Sequence, residues 1–140
     1  DNYSVNKSKI IKIINFLQSR EEVAVDQISL IITTDKQVNQ LKRKYYNQDL
    51  LTDTISFNLN SPEEPVEAEI YISADRIVDN ADEYGVARDH EFANVLIHSV
   101  LHTFGYDDDT PNKKQKMFKL QKEYLNEIDF KGIFKKKDEN

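Results

Sequence analysis

The residues of this chain best suited to chemistry lie in HSVLHTFGYDDDT, residues 98–110, where two histidines four apart run into a glycine and then three aspartates. On a helix, residues four apart lie one above the other, so His98 and His102 direct their rings at one point. A bare H-x-x-x-H says little, because any two helical residues at that spacing share a face. Here they are two of only three histidines, the surrounding residues are apolar, and Gly105 follows. A glycine there stops the helix and turns the chain back, so that a residue three positions later faces the same point. That residue is Asp108. With no cysteine in the chain, a metal must take His, Asp, Glu or water as ligands. The spacing predicts one divalent ion on His98, His102 and Asp108.

The pattern H-x-x-x-H-x-x-G-x-x-D resembles the extended zinc signature of the metzincin proteases, a tripod with an open position. The protease glutamate that follows the first histidine is replaced here by Ser99, which cannot accept a proton near neutral pH unaided. A second resemblance is wider. HSVLHTFGYDD is similar to the motif H-G-x-L-H-L-x-G-Y-D-H of the YbeY family, bacterial metal-dependent endoribonucleases of ribosomal RNA maturation. LKRKYYNQDLLTDTISF (Leu41 to Phe57) resembles that family's L-N-x-x-Y-R-x-x-D-x-x-T-D-V-L-S-F, and AEIYIS (Ala68 to Ser73) its G-D-I-x-I-S strand. The three blocks stand in family order over residues 41–108.

The resemblance implies a small mixed sheet with the histidine helix beneath it, a bound metal usually taken to be zinc, and RNA as substrate. Three positions depart from the family: Asp108 stands for its third histidine, Ser99 for a glycine, and Tyr46 for the arginine it is thought to use on RNA. A guanidinium clamps a phosphate bidentately, whereas a phenol offers one hydrogen bond. Arg43 or Lys44, one turn back, are the candidate substitutes. Two imidazoles and a carboxylate leave zinc a formal charge of +1, against +2 with three histidines, which makes it a slightly weaker Lewis acid. Asp107 and Asp109 are candidates to move a proton, or else serve a solvated turn and a helix cap.

Other residues are weighed against plainer roles. His90 lies eight residues before His98, about 12 Å of helical rise, too far to share a metal. Asp53, Thr54 and Ser56 either shape the RNA cleft or serve the turn and sheet. Tyr45 and Phe57 read as core side chains more readily than as base-stacking platforms. Lys42, Arg43 and Lys44, together with the lysines from Lys113 and Lys114 onward, form two basic clusters that could border one cleft; Arg43, Lys44, Tyr46, Lys113 and Lys114 are the candidates for RNA contact.

Positioning these residues falls to a predictable set of elements. Apolar pairs from Ser8 to Arg20 fit an amphipathic helix. ISLIIT (Ile28 to Thr33) reads as a strand covered on both faces. A helix capped by Asp35 leads to an Asn47-Gln48-Asp49 turn, strands follow at Thr54–Leu59 and Glu69–Ser73, and Asp75 to Tyr84 forms a helix stopped by Gly85. The histidine helix opens at Asp89 or His90, and Pro111 starts a last helix with Met117, Leu120 and Tyr124 on its apolar stripe. The first few residues supply a possible further strand. The fold class is therefore α+β: a small mixed four-stranded sheet packed with helices, with a zincin-like metal-binding helix. Residues 1–140 are expected to form one domain, with about 131–140 a frayed basic tail.

Charge is segregated: residues 1–60 hold 8 basic and 7 acidic side chains, residues 61–110 hold 2 and 13, and residues 111–140 hold 9 and 5. The net charge of −6 argues against indiscriminate nucleic-acid binding but leaves local basic edges. No run of 18 apolar residues occurs and DNYSVNKSK lacks a signal-peptide core, so a cytoplasmic protein without membrane partners or obligate oligomer is expected. The leading expectation is a zinc-dependent endoribonuclease acting on single-stranded ribosomal RNA. The alternatives are a ribosome assembly factor that binds RNA or ribosomal proteins without cutting, and a zinc protease.

Overall fold

The computed structural model describes residues 3–46 and 53–136. The expected Asn47-Gln48-Asp49 turn and Lys137 lie outside the described residues. In chain order the elements are β1 (Tyr3–Val5), α1 (Lys7–Glu21), β2 (Val25–Thr33), α2 (Asp35–Tyr46), β3 (Thr54–Asn58), β4 (Val66–Ser73), α3 (Ala74–Tyr84), α4 (Arg88–Thr103), α5 (Pro111–Glu127) and β5 (Phe134–Lys136). The α+β class is as expected.

Helix α4 is the axis of the molecule. Ten of its sixteen residues are buried, among them Phe92, Leu96, Ile97, Val100 and Leu101, each with no exposed surface. A helix apolar on nearly every side belongs in a core, where each such side chain contributes roughly 1.5–3 kcal/mol by leaving water. Around it pack α1, α3, α5, β5 and one face of the sheet.

That sheet has the order β2-β4-β3, with β2 parallel and β3 antiparallel to β4. Alternation sets its faces: Ala68, Ile70 and Ile72 of β4 are buried against the core, and the register pairs them with Asn58, Ser56 and Thr54 of β3. The polar residues of an edge strand thereby share the face that meets α4. Strand β2, expected to be covered on both faces, is the other edge, and Ile28 to Thr33 are only half-buried.

The expected four-stranded sheet is divided instead into three strands and two. Strand β1 exists, but it pairs antiparallel with β5, Val5 opposite Phe134. The frayed tail expected over about 131–140 is thus replaced by a paired strand as far as residue 136, and residues 137–140 lie outside the described residues. Ile133 and Phe134 are buried, and the Phe134 ring stacks between Tyr3 (5.3 Å) and Phe92 (5.3 Å). Asp89, rather than capping α4, accepts hydrogen bonds from the backbone N–H of Gly132 (2.7 Å) and Phe134 (2.9 Å).

Neither α2 nor α3 is capped by the aspartate at its start, Asp35 or Asp75, because the residue before each helix takes that role. Thr34 Oγ1 accepts from Gln37 N–H at the start of α2, and Ser73 Oγ accepts from Arg76 N–H at the start of α3. Asp35 is thus available to accept from the Ser73 hydroxyl (2.6 Å) and from Arg76 Nε (3.1 Å), tying the two helix starts together at one end of the sheet. Gly85 at φ 67° ends α3, and Pro111 follows a Thr110 cap on α5, both as the sequence suggests.

Candidate metal centre and cleft

The two histidines stand on the last two turns of α4, with ring centroids 4.6 Å apart and planes at 86°. Each ring is oriented by its second nitrogen. His102 Nδ1 lies 2.9 Å from the Tyr106 carbonyl oxygen, which can only accept, so Nδ1 carries the proton and Nε2 keeps a free lone pair. His98 Nδ1 lies 2.9 Å from Gln121 Oε1. The Gln121 amide nitrogen donates to Asn94 Oδ1 at 2.7 Å, which fixes the amide so that Oε1 again accepts and His98 Nε2 is free. Burial holds the His98 pKa below its ordinary value, which favours the neutral ring that coordination needs.

The turn that returns the chain is built on Gly105, at φ 110°. No neighbour would obstruct a Cβ there, so glycine is required by the backbone conformation alone. Tyr106 then locks the turn: its hydroxyl donates to Glu21 Oε1 at 2.6 Å, and the Tyr124 hydroxyl donates to the other oxygen of the same carboxylate. The Glu21 bond and burial push the Tyr106 phenol up to about 12, so it stays a donor at any physiological pH. Two residues on, Asp108 Oδ2 lies 3.5 Å from His102 Nε2, and one donor atom from each of His98, His102 and Asp108 falls within 4.8 Å of the others. Two ligands of a tetrahedral zinc, each about 2.05 Å from the ion, are about 3.3 Å apart. The His102–Asp108 separation matches that span, and the donor set of two neutral imidazoles and one carboxylate suits zinc or a similar ion.

These donors open on a cleft of about 510 Å³ lined also by Lys42, Tyr46, Asp53, Thr54, Ser56 and Asn58. Ser99 is excluded from it: fully buried, its hydroxyl donates to the Val95 carbonyl (2.8 Å) and meets Thr54 Oγ1 at 2.9 Å, bracing β3 against the metal helix. Burial raises the Asp53 pKa, with the His98 ring opposing. A second cavity of about 430 Å³ adjoins the first across Asp53 and His98 and holds Glu91, whose pKa burial and the Asp53 charge lift to about 7.

Several candidates fall elsewhere. Asp107 and Asp109 are exposed and do not line the cleft, and Asp109 pairs with Lys113 at 3.4 Å. Arg43 and Lys44 are exposed and also outside it. Lys42 replaces them, because it is the residue exactly one i,i+4 step from Tyr46; its Nζ stands 5.2 Å from the centre of that ring. Lys114 borders a small cavity with His98 and Asp108. His90 sits against Phe130 at the far end of α4. Tyr45, expected in the core, is 56% exposed and meets Phe57 of the edge strand β3 edge-on at 5.0 Å. Sequence reasoning missed Gln121 altogether: its place on the inner face of α5 is legible as helical spacing, but nothing in the sequence says that face meets His98.

The fold and the site together define an α+β protein whose buried helix presents a donor group able to hold a metal at the floor of a polar cleft. The profile described as endoribonuclease YbeY matches residues 2–129, and the chain belongs to the endoribonuclease YbeY family. It is 36% identical over 125 residues to the endoribonuclease YbeY of Chlorobaculum parvum, covering 89% of this chain and 88% of that one. To the Bacillus velezensis protein of the same name it is 33% identical, covering 85% and 83%. Among solved structures it is similar to the solution structure of TM1509 from Thermotoga maritima, with a TM-score of 0.59 and 26% identity over 89% of this chain and 84% of that one.

Proposed function

We propose that this protein is a zinc-dependent endoribonuclease of ribosomal RNA maturation that hydrolyses phosphodiesters in single-stranded RNA, with His98, His102 and Asp108 holding the ion. The observation that carries the reading is the pair of Nε2 lone pairs, each set by its own Nδ1 partner and aimed with Asp108 at one point of the cleft. Zinc held there supplies Lewis acidity toward a phosphate oxygen and lowers the pKa of water. The chain's own residues do the rest. Lys42 meets the phosphate charge in place of the family arginine. The Thr54, Ser56 and Asn58 side of β3 lines the wall against which the backbone lies. Asp53, with a carboxyl that burial makes easier to protonate, moves a proton at the cleft and supplants Asp107 and Asp109 in that role.

A second reading, a non-cutting factor that binds RNA or ribosomal proteins during ribosome assembly, is favoured by Tyr46 standing where the family has arginine and by the net charge of −6. The protease reading loses its remaining support, since the Ser99 hydroxyl is committed to Val95 and Thr54 and no carboxylate follows His98. Among the described residues no helix is long and apolar enough to cross a membrane, and we place the activity in the cytoplasm. The test is a cleavage time course on a ribosomal RNA fragment with zinc-loaded protein, run beside His102→Ala purified identically. Cutting by the wild type alone is expected; equal or absent cutting in both would move the assignment to the assembly factor.

A further inference from the structure

We propose that Tyr45, Tyr46 and Phe57 form a base-stacking subsite for single-stranded RNA beside the cleft, with Lys42 and Lys44 taking the flanking phosphates. The proposal rests on RNA being the substrate and adds where its bases go. Tyr45 and Tyr46 end α2 side by side, 56% and 48% exposed, and with Phe57 they make a contiguous aromatic patch rather than a lone exposed ring. The rings are buttressed into a fixed set. Tyr46 stacks on Phe57 at 6.1 Å and 15°, Tyr45 meets Phe57 edge-on at 5.0 Å, and Phe57 rests edge-on against Tyr71 at 6.0 Å. The Tyr46 hydroxyl donates to the Ser56 carbonyl at 3.2 Å, which holds its plane.

Charge and position select the occupant. Lys42 Nζ and Lys44 Nζ each stand 5.2 Å over a tyrosine ring, Lys42 on Tyr46 and Lys44 on Tyr45. An ammonium on a flexible stem, exposed at Lys44 and half-buried at Lys42, can swing from a ring face to a phosphate, and a base then takes the face it leaves. Two cations thus edge the aromatic set, which favours a polyanion with flat apolar groups over an apolar protein surface. Among the described residues Glu69 lies opposite Phe57 in register and accepts from the Tyr71 hydroxyl at 3.3 Å, and Asp53 shares the cleft with Lys42 and Tyr46, so the cations on the ring faces are the groups that meet phosphates. Tyr46 and Lys42 also line the cleft, and side-chain alternation along the edge strand β3 puts Ser56 and Asn58 on the cleft side and Phe57 on the side of the rings. A strand of RNA can therefore cross that edge with one nucleotide stacked and a neighbouring phosphate in the cleft. Bases inside a duplex are already stacked and cannot reach the rings, which makes the subsite a selector for unpaired RNA.

The experiment uses zinc-loaded protein titrated into a single-stranded 2′-O-methyl RNA octamer carrying 2-aminopurine, whose fluorescence falls when it stacks. Wild type is expected to quench it, Tyr45→Leu/Tyr46→Leu to bind about tenfold more weakly without the quench, and Tyr45→Phe/Tyr46→Phe to restore both. The same octamer in a duplex should not quench. Equal affinity and quenching in the leucine variant overturns the subsite, as does failure of wild type to bind any single strand, which would assign the rings to a protein partner. Cleavage of a ribosomal RNA fragment is followed in parallel. Quenching without cleavage sinks the endoribonuclease reading and leaves the subsite; cleavage that is indifferent to the leucine variant does the reverse.

Discussion

At the scale of single residues, the site is defined as much by what holds the histidines as by the histidines. Gln121 is buried and spends both ends of its amide, one on His98 Nδ1 and one on Asn94, so the His98 tautomer is fixed by α5. Outer partners of this kind typically carry 10- to 100-fold in metal affinity. Gln121→Leu, close in volume, is therefore expected to weaken zinc binding by roughly tenfold or more while leaving the fold intact, as read by chelator competition and circular dichroism. Unchanged affinity would show that His98 does not bind through Nε2. The anionic Asp108 distinguishes this tripod from a three-histidine one and lowers the charge left on a divalent ion by one.

At the scale of elements, α4 is steered from both ends. Its C-terminal turn is fixed by Gly105 and by the Glu21 carboxylate, which joins Tyr106 to Tyr124 and so ties the Asp108 loop to α1 and α5. Its first turn is fixed by Asp89, whose carboxylate receives two backbone donors from the tail. Removing that carboxylate leaves two N–H groups without their acceptor, and Asp89→Ala is expected to lower stability by about 2–3 kcal/mol in urea denaturation. Amide exchange at Phe134 should quicken in the same variant. If exchange there is unchanged, the pairing of β1 with β5 holds the tail without help from Asp89.

At the scale of the whole molecule, stability and charge are linked through Glu91. Its pKa is raised from 4.5 to about 7, so the folded protein binds a proton that the unfolded chain releases between those values. Stability from this group is fully present below pH 4.5 and is lost as pH rises through about 7. Glu91→Gln should remove that loss: above pH 7.5 the variant is expected to be more stable than wild type by about 2–3 kcal/mol, the difference vanishing near pH 4.5. A constant difference across thermal melts from pH 4.5 to 8 would refute the assignment. On the proposed reading, with a net charge of −6, RNA would be attracted at the lysine edges, and binding is expected to weaken steeply with salt.

What the sequence determined by itself was whatever depends on local periodicity. The i,i+4 histidines, the glycine turn three residues before Asp108, the alternation of β4 and the apolar run of α4 are short-range patterns, and each maps to one conformation. What only the tertiary structure decided depends on which element lies against which. That Asp53 and Lys42 rather than Asp107, Asp109 or Arg43 line the cleft follows from β3 packing against both α4 and α2. That Asp35 bonds Arg76 instead of capping its helix, 41 residues on, and that Phe134 completes the core beside Val5, 129 residues back, are likewise settled by distant partners. A side chain's partner at that distance leaves no period in the sequence, because the free energy that selects it belongs to the packed whole.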